Sequence, residues 1–486
     1  MKNLINKYKN LPVPIKATLW FLVASFLQKG IQALTTPIFT RLLSTSEYGQ
    51  FSVFNSWLGI VSVIVSLNVW GGIYQQGLVK FSDNKKIFSS SLQGLTLTLT
   101  VGWTIIYLLL HDFWNELFGL TTVQMLAMLV LVWTSSVFNF WAAEQRNDYK
   151  YKELVIVTLL VSFGKPIIGI IFVKLATDKV TARILGLVLV ELCVYLFLFI
   201  SQMRRGKVFF DKKYWKYAVA LCIPLVPHYL SQTVLNSADR IMISNMVGDS
   251  EAGIYSLAYS ISQIMILFNT ALMSALNPWI FTKIKEQKNK EIGPVAYMSL
   301  IIIAAVNLGL ILIAPEAVAI FAPASYYEAI YIIPPVAMGV YFLYSYDLFA
   351  KFAFYYEKTH FVTAVSVLGA ILNIVLNYIF IQIFGYIAAG YTTLVCYMVY
   401  CFGHYMLMRK IVNDKCNGVQ PYSIKIYLTI TVSFMALGFL LLMTYDYQII
   451  RYGIIAIAVI LIILYRKRII ETVTKMMKLK NVGNKG

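Results

Sequence analysis

Charge is scarce in this chain. Asp, Glu, Lys and Arg together make up 13% of its 486 residues, against 59% hydrophobic residues and a mean hydropathy of +0.71. A soluble domain carries about twice that share of charge, so this composition excludes an ordinary soluble fold and describes a polytopic membrane protein. Cysteine is also sparse. Cys193, Cys222, Cys396, Cys401 and Cys416 form no C-x-x-C pair and no cluster with the four histidines, which excludes a disulfide framework and a Cys/His metal site. There is no G-x-x-x-x-G-K-[ST] phosphate loop, so hydrolysis of ATP is not expected. No connecting segment is long enough to fold as a soluble domain or carries paired carboxylates or a His and Asp cluster, which argues against an enzyme. Neither a metal nor an organic cofactor is expected, and whatever the protein does, it does inside the membrane.

What is present is a series of apolar windows of the length needed to cross about 30 Å of hydrocarbon. They fall near residues 15–40, 50–72, 88–110, 120–142, 154–176, 182–203, 215–247, 254–276, 294–321, 329–354, 361–384, 387–408, 424–444 and 449–465. The spacing predicts an all-α protein of about fourteen transmembrane helices. The basic start MKNLINKYKN precedes a segment too long and too polar for a cleaved signal, so it is expected to be retained.

The net charge of +19 could point to nucleic acid, but its placement says otherwise. Of 41 Lys and Arg, 33 lie in alternate connecting segments and the termini, and five, Arg41, Lys174, Lys179, Arg183 and Arg451, lie in the opposite set. This is the positive-inside pattern; it predicts both termini in the cytoplasm and no nucleic-acid partner. The segment holding Lys174, Lys179 and Arg183 runs against the trend.

EYGQFSVF from Glu47 matches EAGIYSLA from Glu251 position by position, at an offset of 204 residues, and each copy is expected to open a helix after a long polar-striped one. A duplicated half follows. The predicted organisation is a lobe of six helices over 1–208, a second over 209–412, and two extra helices with a basic tail over 413–486. The basic linker MRRGKVFFDKK separates the lobes, which are expected to surround a central cavity.

Ionisable groups in mid-span are the sharpest functional signal, because each costs about 2.5 to 3.5 kcal/mol on insertion scales and therefore faces a cavity or a partner. Lys29 lies in the middle of the first window, on a stripe with Ser25, Gln32 and Thr36 at steps of three and four residues. The seventh window, expected as one long helix, carries a matching stripe of His228, Gln232, Asn236, Asp239 and Arg240. Asp239 and Arg240 are adjacent and so do not face each other. Lys165, beside Pro166, and Glu191 lie at the centres of the fifth and sixth windows. They form either a structural pair or a functional one, with Lys165 serving an anion and Glu191 an ion-coupling step. Asp347 and Lys351 are spaced for a structural i,i+4 pair. Tyr255, Tyr259, Asn373 and Asn377 extend the polar lining, where Asn serves equally as glue between helices or as a substrate contact. His228 and Asp239 join Glu191 as candidates for proton or sodium coupling. The cavity cations are then Lys29, Lys165 and Arg240.

With TRLLSTSEYGQFSVF after a first helix and DRIMISNMVGDSEAGIYSLAYSIS later, the chain resembles the Wzx-type polysaccharide flippases. These form the polysaccharide transporter branch of the MOP superfamily, which also holds the MATE exporters and the peptidoglycan lipid II flippase. The resemblance implies a MATE-like fold in the bacterial cytoplasmic membrane. It also implies translocation of an undecaprenyl-diphosphate-linked oligosaccharide by alternating access, for capsule, exopolysaccharide or O-antigen. Membrane lipids, the lipid-linked substrate and polysaccharide polymerase or assembly proteins are the partners it implies. A multidrug or metabolite cation antiporter of the same fold is the alternative, but it would want acidic groups in the cavity, where this chain places lysines.

Overall fold

The computed structural model describes residues 12–479, and among these residues the secondary structure is helical throughout, with no strand. The chain divides into two compact units, Met1–Ile241 and Met242–Gly486. The first holds α1 (Val13–Leu42), α2 (Thr45–Ser66), the short α3 (Gly72–Lys80), α4 (Lys85–Leu109), the short α5 (His111–Phe118), α6 (Thr122–Asn147), α7 (Tyr151–Leu175), α8 (Lys179–Gly206), α9 (Lys212–Cys222) and most of α10 (Val226–Met246). The second holds α11 (Asp249–Lys285), α12 (Ile292–Leu312), the short α13 (Ala314–Phe321), α14 (Ile333–Tyr355), α15 (Thr359–Phe384), α16 (Ala388–Lys415), α17 (Ile424–Leu442) and α18 (Gln448–Leu479).

Among the described residues, eleven helical segments are long and apolar enough to span a membrane, or twelve when α14 and the bent 3-10 turn before it count as one. Every predicted window falls on a helix or on a broken pair of helices. The two that fall short in hydropathy are α1, diluted by Lys29 and its polar stripe, and α16, diluted by its tyrosines, His404 and charged end. This is a multi-pass membrane protein.

Two windows are not single rods. The seventh is α9 and α10 joined by a 3-10 turn at Ile223–Leu225, because Pro224 and Pro227 lack the N–H groups that a continuous helix needs. The ninth breaks between α12 and α13, with Pro315 in the first turn of the second piece.

Local chemistry sets the helix starts. Ser44 accepts from Glu47 N–H while the Glu47 carboxylate accepts from Ser44 N–H at 2.7 Å, a capping box that opens α2. Thr121 and Gln124 repeat it at α6. Asp178 caps α8 through Thr181 N–H, and Asp211 caps α9 through Lys213 and Tyr214 N–H. Both copies of the repeated octapeptide lie in the first turns of helices, α2 and α11.

In the first unit α6 packs on α8, α7 on α8, α2 on α6, and α1 on α7. In the second unit α14 packs on α16, α15 on α16, and α11 on α14, which repeats three of those four pairings. The contact boundary lies inside α10, beyond the basic linker, for a packing reason. Tyr214 and Ala218 of α9 are buried with Tyr74, Phe88 and Phe140, and Trp215 Nε1 donates to Ser91 O at 2.8 Å, so α9 is bound to the first unit. The linker lies on α4, where a Cβ at Gly94 would come 2.1 Å from the Phe209 carbonyl oxygen.

A buried polar network ties three helices of this unit. The Glu144 carboxylate, 3% exposed, accepts from Arg205 Nη1 at 3.0 Å and from Gln202 Nε2 at 2.7 Å; Gln202 Oε1 accepts from Gln93 Nε2 at 2.6 Å. Removing one partner of such a pair leaves an uncompensated charge, whereas removing both does not. Glu144→Leu is therefore expected to lower unfolding stability by about 3 kcal/mol, and the Glu144→Leu/Arg205→Leu double variant to recover part of that loss. Thermal unfolding of the purified variants in detergent checks both.

Between α6 and α7, outside the spans, burial alone would raise the Asp148 carboxyl. The Lys85 ammonium at 2.5 Å, with help from Asn147 and Lys150, outweighs burial and holds it below the usual carboxylate range. A depressed acid contributes stability that is complete above its unfolded pKa of about 4 and is lost as pH falls through the lower folded value. Wild type is thus expected to be more stable than Asp148→Asn at neutral pH, and that advantage to be lost as the pH falls below the unfolded carboxylate value and through the lower folded one, measured as the difference in Tm.

Candidate anion site in the first unit

Two cations meet at one cavity in the first unit. Its volume is about 280 Å³, and Gln28 and Gln32 of α1, Asn55 of α2, Ser162 and Lys165 of α7, and Arg183 of α8 bring polar groups to it. Phe39, Phe51, Phe138 and Tyr195 supply aromatic surface. The volume lies at the small end of the range of about 300 to 1,000 Å³ for ligand pockets, enough for part of a head group.

Each group is placed by its helix. Close approach of α7 and α8 is allowed by glycine: a Cβ at Gly186 would lie 3.1 Å from the Cα of Gly169. That approach brings Lys165 Nζ to 2.5 Å from Glu191 Oε1, while Thr134 Oγ1 of α6 donates to Glu191 Oε2, also at 2.5 Å. The carboxylate is only 6% exposed and the lysine 32%, so the acid is held among α6, α7 and α8 while the ammonium stem reaches the cavity. The geometry pairs the two residues whose relation the sequence left open.

Arg183 is the cation that sequence reasoning placed outside the site. The charge pattern sets it in a connecting segment, but the structure puts it one turn inside α8, its guanidinium carbon 3.8 Å from the Phe39 ring centroid and 3.5 Å from that of Phe51. At these distances the two rings hold the group by cation–π attraction. Its segment also accounts for Lys179, which lies 3.7 Å from Glu47 and donates to Leu42 O at 3.3 Å. Two of the three residues that break the charge pattern, Lys179 and Arg183, are thus engaged with the last turn of α1 and the first turns of α2. The available signal was the break in the pattern itself, together with the aromatic residues of the repeated octapeptide.

Of the other predicted residues, Gln32 joins Lys165 at the cavity. Lys29, Ser25 and Thr36 lie on the same helix, Lys29 and Ser25 exposed, but not among the residues that line it. Thr36 Oγ1 donates to Gln32 O at 3.0 Å. On α10, Arg240 Nη1 donates to Asn236 O at 2.7 Å and Asn236 Nδ2 to Gln232 O at 2.8 Å, with Asp239 fully buried and His228 half-buried. In the second unit Tyr255 and Tyr259 are buried and stacked, with ring centroids 6.2 Å apart. Asn373 and Asn377 are also fully buried; Asn373 donates to Thr393 Oγ1 at 3.3 Å, Asn377 donates to Asn373 Oδ1 at 3.3 Å, and Thr392 donates to Asn377. This is a polar seam joining α15 to α16. Asp347 and Lys351 pair at 2.5 Å as expected.

Comparison with known proteins agrees with this picture. Residues 15–285 match the family model "Polysaccharide biosynthesis protein", and residues 224–379 match the MatE model. "Lsg locus putative protein 1" of Haemophilus influenzae is 22% identical over 381 residues, covering 74% of this chain and 89% of that protein. Among solved structures, the lipid II flippase MurJ in an inward closed conformation superposes with a TM-score of 0.69 at 15% identity, covering 93% of this chain and 100% of that one. An inward-facing multidrug resistance MATE family transporter of the MOP superfamily superposes at 0.61 and 14% identity, covering 79% and 95%. These likenesses are of fold. Since the first family model spans more than half of the sequence, the chain belongs to the polysaccharide biosynthesis protein family, built on the fold of the MOP superfamily.

Proposed function

We propose that this protein is a flippase that carries an anionic lipid-linked oligosaccharide, of the undecaprenyl-diphosphate type, across the bacterial cytoplasmic membrane by alternating access, for surface polysaccharide synthesis. The observation that carries the reading is the cavity that Lys165 and Arg183 share with amides, a hydroxyl and aromatic rings. Phosphate oxygens take charge-assisted hydrogen bonds from Lys and Arg, sugar hydroxyls pair with amides, and sugar faces stack on rings. A cationic drug would meet two like charges there, and the one acid beside them is already engaged with Lys165.

In this reading the protein transports and does not transform its substrate. Lys29 and Arg240 act as further cations along the path, the termini face the cytoplasm, and a proton or sodium gradient supplies coupling. Polymerase and assembly proteins are its partners, and the lipid tail remains in the bilayer while the head group is sheltered.

In a strain lacking the gene, the lipid-linked oligosaccharide is expected to accumulate, chemically unchanged and unpolymerised, on the cytoplasmic leaflet. The wild-type chain should clear it, and the Lys165→Gln/Arg183→Gln variant, at equal abundance in the membrane, should clear it at least about tenfold more slowly, a loss of about 1.4 kcal/mol. Leaflet-resolved labelling of the sugar gives the measurement. Surface polymer made normally without the gene would sink the proposal.

A further inference from the structure

The first-unit cavity is lined by a fixed cation and a movable one, with a buried acid behind the second. Arg183 is clamped between the Phe39 and Phe51 rings, so it stays at the wall whatever the cavity holds. Lys165 has a flexible four-carbon stem and a partly exposed side chain at the cavity surface. Glu191 is 5% exposed and lies outside the lining residues; one oxygen takes the Lys165 ammonium and the other the Thr134 hydroxyl. The groups facing that carboxylate are Lys165 from α7, Thr134 from α6, and Tyr195 one turn on along α8, whose phenol also lines the cavity. The acid further along, Glu144, is engaged by Arg205.

We propose that Glu191 is a resident counter-ion that competes with the substrate's phosphate for Lys165, so that binding of the anion is linked to uptake of a proton by Glu191. The proposal rests on the anion-transport reading above. Its physical basis is the cost of an uncompensated carboxylate in a dry interior. With the cavity empty, Lys165 and Glu191 neutralise one another. When an anion arrives, Lys165 can satisfy it together with Arg183, and Glu191 is left with one neutral hydroxyl donor. A buried acid in that position takes up a proton rather than remain charged. The proton comes from solvent and forms an O–H bond on Glu191 as the Lys165 contact breaks, with no other bond changed.

Linkage then works in both directions: anion binding raises the affinity of Glu191 for a proton, and lower pH tightens anion binding. Anion affinity therefore falls as the pH rises, by up to about tenfold per pH unit where binding takes up one proton. An anion that takes Lys165 as well as Arg183 must displace Glu191, which disfavours weak anions at that position.

The test uses the full chain in lipid nanodiscs and an aryl sulfate as probe, because its charge does not change between about pH 5 and 8 and all titration belongs to the protein. Calorimetry in buffers of different ionisation enthalpy counts the protons. Wild type should bind the probe at least about tenfold more tightly at about pH 6 than at about pH 8, with uptake approaching one proton per anion. Glu191→Gln should bind it with little dependence on pH and no proton uptake, and Lys165→Gln should lose most of the affinity. Thr134→Val, which removes the remaining donor to the carboxylate and keeps the charges, should move the pH window upward, an effect that a merely structural pair would not show. If wild type binds with no proton uptake, or Glu191→Gln keeps the pH dependence, the counter-ion proposal is overturned while the anion site stands. If wild type binds no probe beyond the uncharged parent phenol, the counter-ion proposal and the anion site both fall.

Discussion

The cost of placing charge in hydrocarbon governs this structure. An ionisable group drawn into a span is stabilised by an opposite charge, an aromatic face or a cavity. Lys165 meets Glu191, Lys351 meets Asp347, and Arg451, 3% exposed, meets Glu316 at 2.6 Å. Arg183 is held by Phe39 and Phe51. These contacts fix the rotation of helices that are otherwise apolar on all sides and would pack almost equally well turned about their axes. Small residues then set the distance, as at Gly169 and Gly186, where α7 and α8 come close enough for the Lys165 ammonium to reach across.

Polar residues serve two different purposes in the two units. In the second, Asn373, Asn377, Thr392 and Thr393 satisfy one another between α15 and α16, and little of their hydrogen-bonding capacity is turned toward a ligand. In the first, the amides, hydroxyl and cations around Lys165 converge on open space. The same residue types are glue in one place and a site in the other, and what separates them is whether the helices leave room between them. A buried network such as Glu144, Arg205, Gln202 and Gln93 is satisfied within the protein and supports the frame around the cavity.

Membership of the polysaccharide biosynthesis protein family gives the cavity its context. In the reading proposed above, a positive seat flanked by rings and amides receives a phosphorylated sugar, and the acid held just behind it serves as counter-ion before the ligand arrives. Selectivity against stray anions and tight capture of the proper one can arise from this single exchange of partners, because a ligand must offer Lys165 more than Glu191 does.

Much of this was legible in the chain itself. The apolar windows marked the helices because hydrocarbon thickness imposes a length that composition must meet, and the repeated octapeptide marked two of the helix starts. Lys165 and Glu191 stood out because a charge in mid-span is costly wherever it sits. Sequence periodicity could not tell that Pro224 and Pro227 would divide the seventh window, since they permit a bend or a break and the neighbours decide which. Nor could it place Arg183, whose partners Phe39 and Phe51 lie more than 130 residues away in the chain and reach it only when α1, α2 and α8 come together. Composition and spacing, being properties of one chain segment at a time, determined the membrane, the helices and the suspect charges. Which charges share a cavity depends on contacts between distant segments, and only the tertiary structure decided that.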